Sequence, residues 1–349
     1  MWFSLEQGSR ILKHHTSFQY RRMTATPGSP KHLVSIKDLA DHEFAELVSR
    51  AEYFKGLFKA QDKAECQKSH QELMGKTIAL IFSKRSTRTR ISTEGAAAFF
   101  GAQPMFLGKD DIQLGVNESL YDTIKVISSM VACIFARVGK HSEIQEFVKH
   151  SKVPVINSLC DKFHPLQAIC DMLTIKEHFN YQEKKLKLAW IGDANNVIND
   201  MAIAALKLGI DVVVATPQGI ELDADIVDAA KEVCKRTGTT IQLTHDSVAA
   251  AKDAHVLVTD TFVSMGEEYM YEAKMRQFKG FQINAELCKH AAPDYKFMHC
   301  LPRHQEEVTD DIFYGDHSIV FQEAENRLYA AMAAIDIFVN KNGDFSGLN

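Results

Sequence analysis

The sequence predicts an α/β protein of two domains, each a parallel sheet flanked by helices, joined by interdomain helices. Three observations predict it. Short apolar runs alternate with helix-forming stretches twice along the chain, from Ile78 to His178 and again from Leu186 onward, which is the pattern of strands connected by crossover helices. The 349 residues are 46% hydrophobic and 24% charged, enough to bury a core in each of two domains. The densest polar motifs stand where apolar runs end, and ligands of open parallel sheets bind beyond the carboxyl ends of strands. The division this suggests is 1–32 as a leader and linker, 33–178 and 179–320 as the two domains, and 321–349 as a C-terminal helix packing back on the first.

Composition excludes several classes. A net charge of -5 argues against a general nucleic-acid surface. Seven scattered cysteines without a C-x-x-C pair indicate reduced thiols, not a zinc site or a disulfide framework. No apolar run reaches the length of a membrane span. From Met1 to Pro30 the only acidic residue is Glu6, against Arg10, Lys13, Arg21 and Arg22, with Trp2, Phe3, Leu5, Ile11 and Leu12 between them. That composition fits an amphipathic mitochondrial transit peptide, with Thr24 to Pro30 as the linker, and predicts the mitochondrial matrix. A cytoplasmic protein with a basic tail is the alternative.

Taken in order, Ser35 to Leu39 opens a helix carrying Phe44, Leu47, Val48, Ala51 and Phe54 at helical spacing. The run Ile78 to Phe82 reads as a buried strand and Ile91 to Phe100 as a helix. Between them Ser83-Lys84-Arg85-Ser86-Thr87-Arg88-Thr89-Arg90 gathers hydroxyls and guanidinium groups at a helix N-terminus, where orphan N–H groups and the macrodipole favour a dianion. The expected ligand carries a phosphate, and helix-capping residues beside solvated arginines are the plainer reading. Gln103 to Leu107 is a short strand, Asp110 to Gly115 a loop, Ser119 to Met130 a helix and Cys133 to Ala136 a strand with Arg137 at its end. Val153 to Asn157 is a further strand, and Phe163-His164-Pro165-Leu166-Gln167 starts a helix through His178. His164 and Gln167 can face one ligand there, as donors to a carbonyl oxygen or an amide, or serve as ordinary surface groups.

The second set opens with the strand Leu186 to Ile191, the turn Gly192-Asp193-Ala194-Asn195-Asn196 and a helix from Asn199 to Leu208. Strands at Val212 to Ala215, Thr240 to Leu243 and Val256 to Thr259 follow. The layout resembles a dinucleotide-binding half, but the turn lacks G-x-G-x-x-G, so NAD is rejected. Asp260-Thr261-Phe262-Val263-Ser264-Met265-Gly266 has the form of a ligand loop with a carboxylate suited to an ammonium group, or of an ordinary connection. Phe297 to Cys300 ends as a strand at Pro302, leaving the Cys300 thiol either facing the crevice or buried and inert. A helix from Glu323 runs to Val339.

Ser-Thr-Arg-Thr-Arg at 86–90, Phe-His-Pro-Leu-Gln at 163–167, Asp-x-x-x-Ser-Met-Gly at 260–266 and His-Cys-Leu-Pro at 299–302 together resemble the signature set of the ornithine carbamoyltransferase family, in order and spacing from about Leu33 to Val339. The resemblance implies a carbamoyl-phosphate domain and an ornithine domain, in a homotrimer with active sites between subunits. It implies that Ser86, Thr87, Arg88 and Thr89 hold phosphate with Arg137. His164, Gln167, Arg327 and the backbone at Cys300 and Leu301 would fix the carbamoyl end, and Gln113 would come from the neighbouring subunit. Asn196, Asp260, Ser264 and Met265 would hold ornithine, with Ser264 and Met265 on a closing lid. Carbamoyl phosphate and L-ornithine are the implied substrates, with no cofactor, metal, nucleic acid or membrane. The expected catalytic groups are Arg137 and His164, which stabilise the developing oxyanion, and Cys300, as proton acceptor or as an orienting group. Rivals are a transferase acting on N-acetylornithine or another amine, and a non-catalytic subunit that only binds carbamoyl phosphate. The first should lack the 260–266 and 299–302 motifs, and the second should have lost the amino-acid loop.

Overall fold

The computed structural model describes residues 30–59, 68–112, 117–181, 183–264, 266 and 268–346. The basic leader through residue 29, Gln113 and Met265 lie outside the described residues. Two all-parallel sheets are present. The first joins β1 (Thr77–Phe82), β2 (Gln103–Gly108), β3 (Cys133–Arg137) and β4 (Val155–Leu159) in the order β2-β1-β3-β4. The second joins β5 (Lys187–Ile191), β6 (Asp211–Ala215), β7 (Ile241–Thr244), β8 (Val256–Thr259) and β9 (Lys296–His299) in the order β7-β6-β5-β8-β9. β1, β3, β5 and β8 are buried along nearly their whole length, as central strands covered on both faces must be.

Strand order reverses between β1 and β3, and again between β5 and β8. Crevices open at such switch points beyond the carboxyl ends of the strands. The Ser83–Arg90 turn and Arg137 stand at the first switch, where Phe82 and Arg137 are register partners. The Gly192–Asn196 turn and Asp260 stand at the second.

Helices α1 (Asp41–Lys59), α2 (Thr87–Phe99), α3 (Leu120–Met130), α4 (His141–His150) and α5 (Pro165–His178) serve the first sheet. α6 (Asn196–Lys207), α7 (Ala224–Thr237) and α8 (Ser247–Ala251) serve the second, and short helices α9 (Tyr271–Gln277), α10 (Ala285–Cys288) and α11 (Asp310–Phe313) lead to α12 (Val320–Ile335). α12 packs on α1, α2 and α5. It joins the chain end to the first sheet's helices, and a π-helical turn at Asp336–Asn340 continues it. α5 is apolar almost all round and buried through its first three turns, which is how a helix between two layers must read.

Several boundaries differ from the sequence reading. Ser35 caps a separate 3-10 turn at Ile36–Asp38, and α1 starts only at Asp41. The Ser35 hydroxyl and the Ile36 N–H are both drawn to Asp200, which turns this segment away from the axis of α1. α2 begins at Thr87, not Ile91, because Ser86 is its N-cap, accepting from the Thr89 N–H at 3.2 Å. α6 begins at Asn196, not Asn199, because Asn195 caps it. α12 begins at Val320, one turn before Glu323.

Candidate active site

Because α2 begins at Thr87, the residues Thr87, Arg88 and Thr89 form its first turn, where the Thr89 N–H is taken by Ser86 Oγ and the Thr87 and Arg88 N–H groups are the orphan donors of a helix N-terminus. Ser83 ties this turn to the neighbouring strand through its N–H, which donates to the Arg137 carbonyl at 2.9 Å. Three guanidinium groups converge on it. Arg137 Nη1 lies 3.5 Å and Arg327 Nη2 3.1 Å from Thr89 Oγ1, and Arg88 Nη2 donates to the Leu301 carbonyl of the second domain. Arg90 does not join them: its Nε pairs with Glu94 at 2.9 Å and its guanidinium lies over the Phe106 ring. Burial, then the charges of Arg327 and Arg88, lower the Arg137 pKa to about 10. The concentrated positive charge is therefore unfavourable to itself and would be offset by a bound anion.

His164 and Gln167 meet the same cluster. Pro165 sits at the first position of α5 and leaves His164 as the N-cap. Arg327 Nη1 donates to Gln167 Oε1 and lies 3.1 Å from His164 Nε2. A guanidinium only donates, so His164 Nε2 must accept and the ring proton must sit on Nδ1. Burial, with Arg327, Arg137 and Arg88, holds the imidazole well below its usual pKa, so it is neutral. Nδ1 is buried and has no partner among the described residues. It is a donor available to a carbonyl oxygen.

The second domain supplies the other wall. Asp260, at the end of β8, accepts from Asn195 Nδ2 at 2.8 Å and from Cys300 Sγ at 3.1 Å. Burial first, then the adjacent Asp260, push the Cys300 thiol well above its usual pKa, so it stands as a donor. Asn196 Nδ2 donates instead to the Cys160 carbonyl of the first domain at 2.6 Å, and Ser264 is half-buried on the loop after β8. Leu301 adopts a left-handed φ of 63°, with its N–H on His299 Nδ1 at 2.9 Å and its carbonyl on Arg88.

Sequence reasoning missed Asn195, whose amide orients Asp260, and the carboxylates behind the site, Asp171, Asp200 and Glu307. A charged residue inside an otherwise apolar helix, as in Ala168–Ile175 or Val197–Leu206, was the signal for the first two.

Two other chemistries fit poorly. Asp260, His299 and Cys300 bring ligating atoms within 4.8 Å of one another, but both His299 nitrogens are engaged, by Glu307 at 3.0 Å and the Leu301 N–H. At the α6 N-terminus the Val197 and Ile198 N–H groups are taken by Asn195 Oδ1 at 3.0 and 3.3 Å, where a pyrophosphate would otherwise need them. A polar cavity of about 350 Å³ lies between loops of both domains, lined among others by His141, Lys162, Asn195 and Asp223. It includes none of the three converging arginines.

Comparison with known proteins agrees with this arrangement. Residues 31–177 match the family model described as aspartate/ornithine carbamoyltransferase, carbamoyl-P binding domain, and 184–338 match its Asp/Orn binding domain. An ornithine carbamoyltransferase of Saccharomyces cerevisiae is 68% identical over 332 residues, covering 93% of this chain and 98% of that one. A mitochondrial ornithine carbamoyltransferase of Emericella nidulans is 53% identical over 345 residues, covering 94% and 95%. The crystal structure of a mitochondrial ornithine carbamoyltransferase from Coccidioides immitis superposes with a TM-score of 0.83 at 51% identity, over 91% of this chain and all of that one. That from Pyrococcus furiosus gives 0.81 at 41%, over 89% and 98%. With both family models matched across nearly all described residues, the chain belongs to the aspartate/ornithine carbamoyltransferase family, on its ornithine carbamoyltransferase branch.

Proposed function

We infer that the protein transfers the carbamoyl group of carbamoyl phosphate to the δ-amine of L-ornithine, giving L-citrulline and phosphate. The observation that carries the reading is the convergence of Arg88, Arg137 and Arg327 on the first turn of α2, facing Asp260 and Cys300 of the second domain. Ser86, Thr87, Arg88 and Thr89 receive the phosphate with Arg137, each charge-assisted contact being worth about 1.5–3 kcal/mol. Arg327, Gln167, His164 and the backbone at Cys300 and Leu301 orient the carbamoyl end. Its carbonyl oxygen takes the His164 Nδ1 proton as a hydrogen bond, so negative charge developing there meets a fixed donor and nearby guanidinium charge.

The neutral δ-amine attacks the carbamoyl carbon, the bond from that carbon to the phosphate oxygen breaks, and the amine proton passes to the departing phosphate. Asp260 and Asn196, with Ser264 and Met265 of the loop, hold the amino-acid end of ornithine. Cys300 orients Asp260 by donating to it and is not the initial proton acceptor, because its thiol is protonated. Bringing both substrates together between the two sheets supplies much of the acceleration.

The proposal extends to assembly and location: a homotrimer in which Gln113 of one subunit completes its neighbour's site, in the mitochondrial matrix. The acid-poor leader supports that location, as do the mitochondrial names of several fungal relatives. A citrulline-forming assay offered ornithine, aspartate, N-acetylornithine and putrescine tests the substrate assignment. Turnover confined to ornithine is the expected result, and turnover with another amine at equal efficiency would refute it.

A further inference from the structure

Asp171 of α5 and Glu323 of α12 are both fully buried, and one side-chain nitrogen, Gln167 Nε2, reaches a carboxyl oxygen of each. Donors reach them unequally. Gln167 Nε2 donates to Asp171 Oδ1 at 2.7 Å and to Glu323 Oε1 at 3.0 Å, and the His299 N–H donates to Glu323 Oε2 at 3.0 Å. Both oxygens of Glu323 are thus satisfied, whereas Asp171 Oδ2 is buried and receives no donor among the described residues. Two ionised carboxylates cannot share such a site without a large penalty. One proton shared by the pair removes the repulsion.

We propose that Asp171 and Glu323 hold a single proton between them, and that this acid–carboxylate pair positions both Gln167 and the His299 end of β9. With Nε2 claimed by two carboxyl oxygens, the Gln167 amide cannot flip, and Oε1 must face Arg327. Through His299 the same pair fixes the strand end that delivers Cys300 and Leu301. Asp171 and Glu323 are therefore positioning residues, and their effect on catalysis rests on the carbamoyl-phosphate reading given above.

The other charged and titratable groups facing the pair are Arg327 on α12, Cys170 and Glu177 on α5, Asp260 at the end of β8 and Cys300 after β9. Only Arg327 among these is a cation, and it is directed at Thr89, His164 and Gln167. Burial, and for Glu323 the adjoining Asp171, push both carboxyls above the ordinary range, in keeping with a proton retained at neutral pH. An acid whose folded pKa is raised adds stability that is complete below its unfolded pKa and is lost as pH rises through the folded one.

Asp171→Ala and Asp171→Asn separate positioning from packing. Asparagine keeps the oxygen that Gln167 donates to and leaves the pair with the one negative charge that the shared proton leaves it, but cannot ionise. Asp171→Ala should lower kcat/KM for carbamoyl phosphate more than about tenfold while the KM for ornithine changes less than about twofold. Asp171→Asn should restore most of that loss. In calorimetric titration with carbamoyl phosphate, wild-type affinity should fall toward alkaline pH as the shared proton is lost, and Asp171→Asn should lack that fall. Asparagine no better than alanine, or identical pH profiles in wild type and Asp171→Asn, would overturn the shared proton. Thermal unfolding between about pH 5 and 8 reads the pair without turnover: the wild type should lose more stability over that range than Asp171→Asn. A protein that made no citrulline yet kept this stability difference would overturn the functional reading and leave the pair standing. No difference, in a protein that makes citrulline, would overturn the pair.

Discussion

The backbone N–H of His164 donates to Asp200 Oδ2 at 2.8 Å, so the histidine that meets Arg327 is held from the other domain. Asp200 Oδ1 takes the Ser35 hydroxyl and the Ile36 N–H, both at 2.8 Å. One buried carboxylate thereby joins the start of the first domain, the N-cap of α5 and the middle of α6.

Asp200→Asn should test that junction. An amide can accept on only one side, so its NH2 must face a donor N–H that now faces oxygen, and leaving such a donor unsatisfied costs about 1–3 kcal/mol. Urea unfolding at neutral pH should register a loss of that order. Burial also raises the Asp200 pKa to about 7. Because that folded pKa is above the ordinary ~3.9, its contribution to stability is complete below the unfolded value and disappears as pH rises to about 7. The pH dependence of unfolding should accordingly flatten in the variant.

Arg327→Lys should keep the charge and lose the fork that reaches Thr89, His164 and Gln167 together. The expected result is a fall of about tenfold or more in kcat/KM for carbamoyl phosphate, corresponding to one charge-assisted contact of about 1.5–3 kcal/mol. Unchanged kinetics in a folded variant would remove Arg327 from the site.

The fold was legible because alternation of apolar runs with helical stretches is a local signal, and Ile78–Phe82 or Val256–Thr259 has little choice but a buried strand. The candidate anion site was legible because Ser86 to Arg90 concentrates charge and hydroxyls within one turn. What escaped was long-range. Whether Asn195 or Asn196 reaches Asp260 depends on where α6 starts, and Asn195 decides that by capping it. Asp171 and Glu323 lie far apart in the chain, and only the packing of α12 on α5 makes them neighbours. Even for Cys300, which follows the end of β9, the sequence left base and orienting roles open, because its contact with Asp260 joins residues 40 apart in the chain.

Cys300→Ser tests that role. Only the neutral δ-amine is a nucleophile, so activity should rise along an acidic limb that reports ornithine deprotonation. Because the thiol is held protonated and donates to Asp260, serine should preserve a donor. Turnover should drop while the limb stays where it is, and a limb displaced in the variant would restore Cys300 as the proton acceptor.

The proposed homotrimer makes the sharpest demand on Gln113. If Gln113 serves the next subunit of a ring, the inactive variants Arg88→Ala and Gln113→Ala should rescue each other when dissociated together and reassembled. In any mixed trimer one interface pairs an intact Arg88 with an intact Gln113. Equal amounts mixed at random place about three quarters of trimers in mixed states, so about one quarter of all sites should recover, given heterologous interfaces that close. Recovery depends on exchange, so mass measurement must first confirm hybrid trimers. With hybrids present, activity that never exceeds the sum of the two parents would mean that each site is built within a single chain.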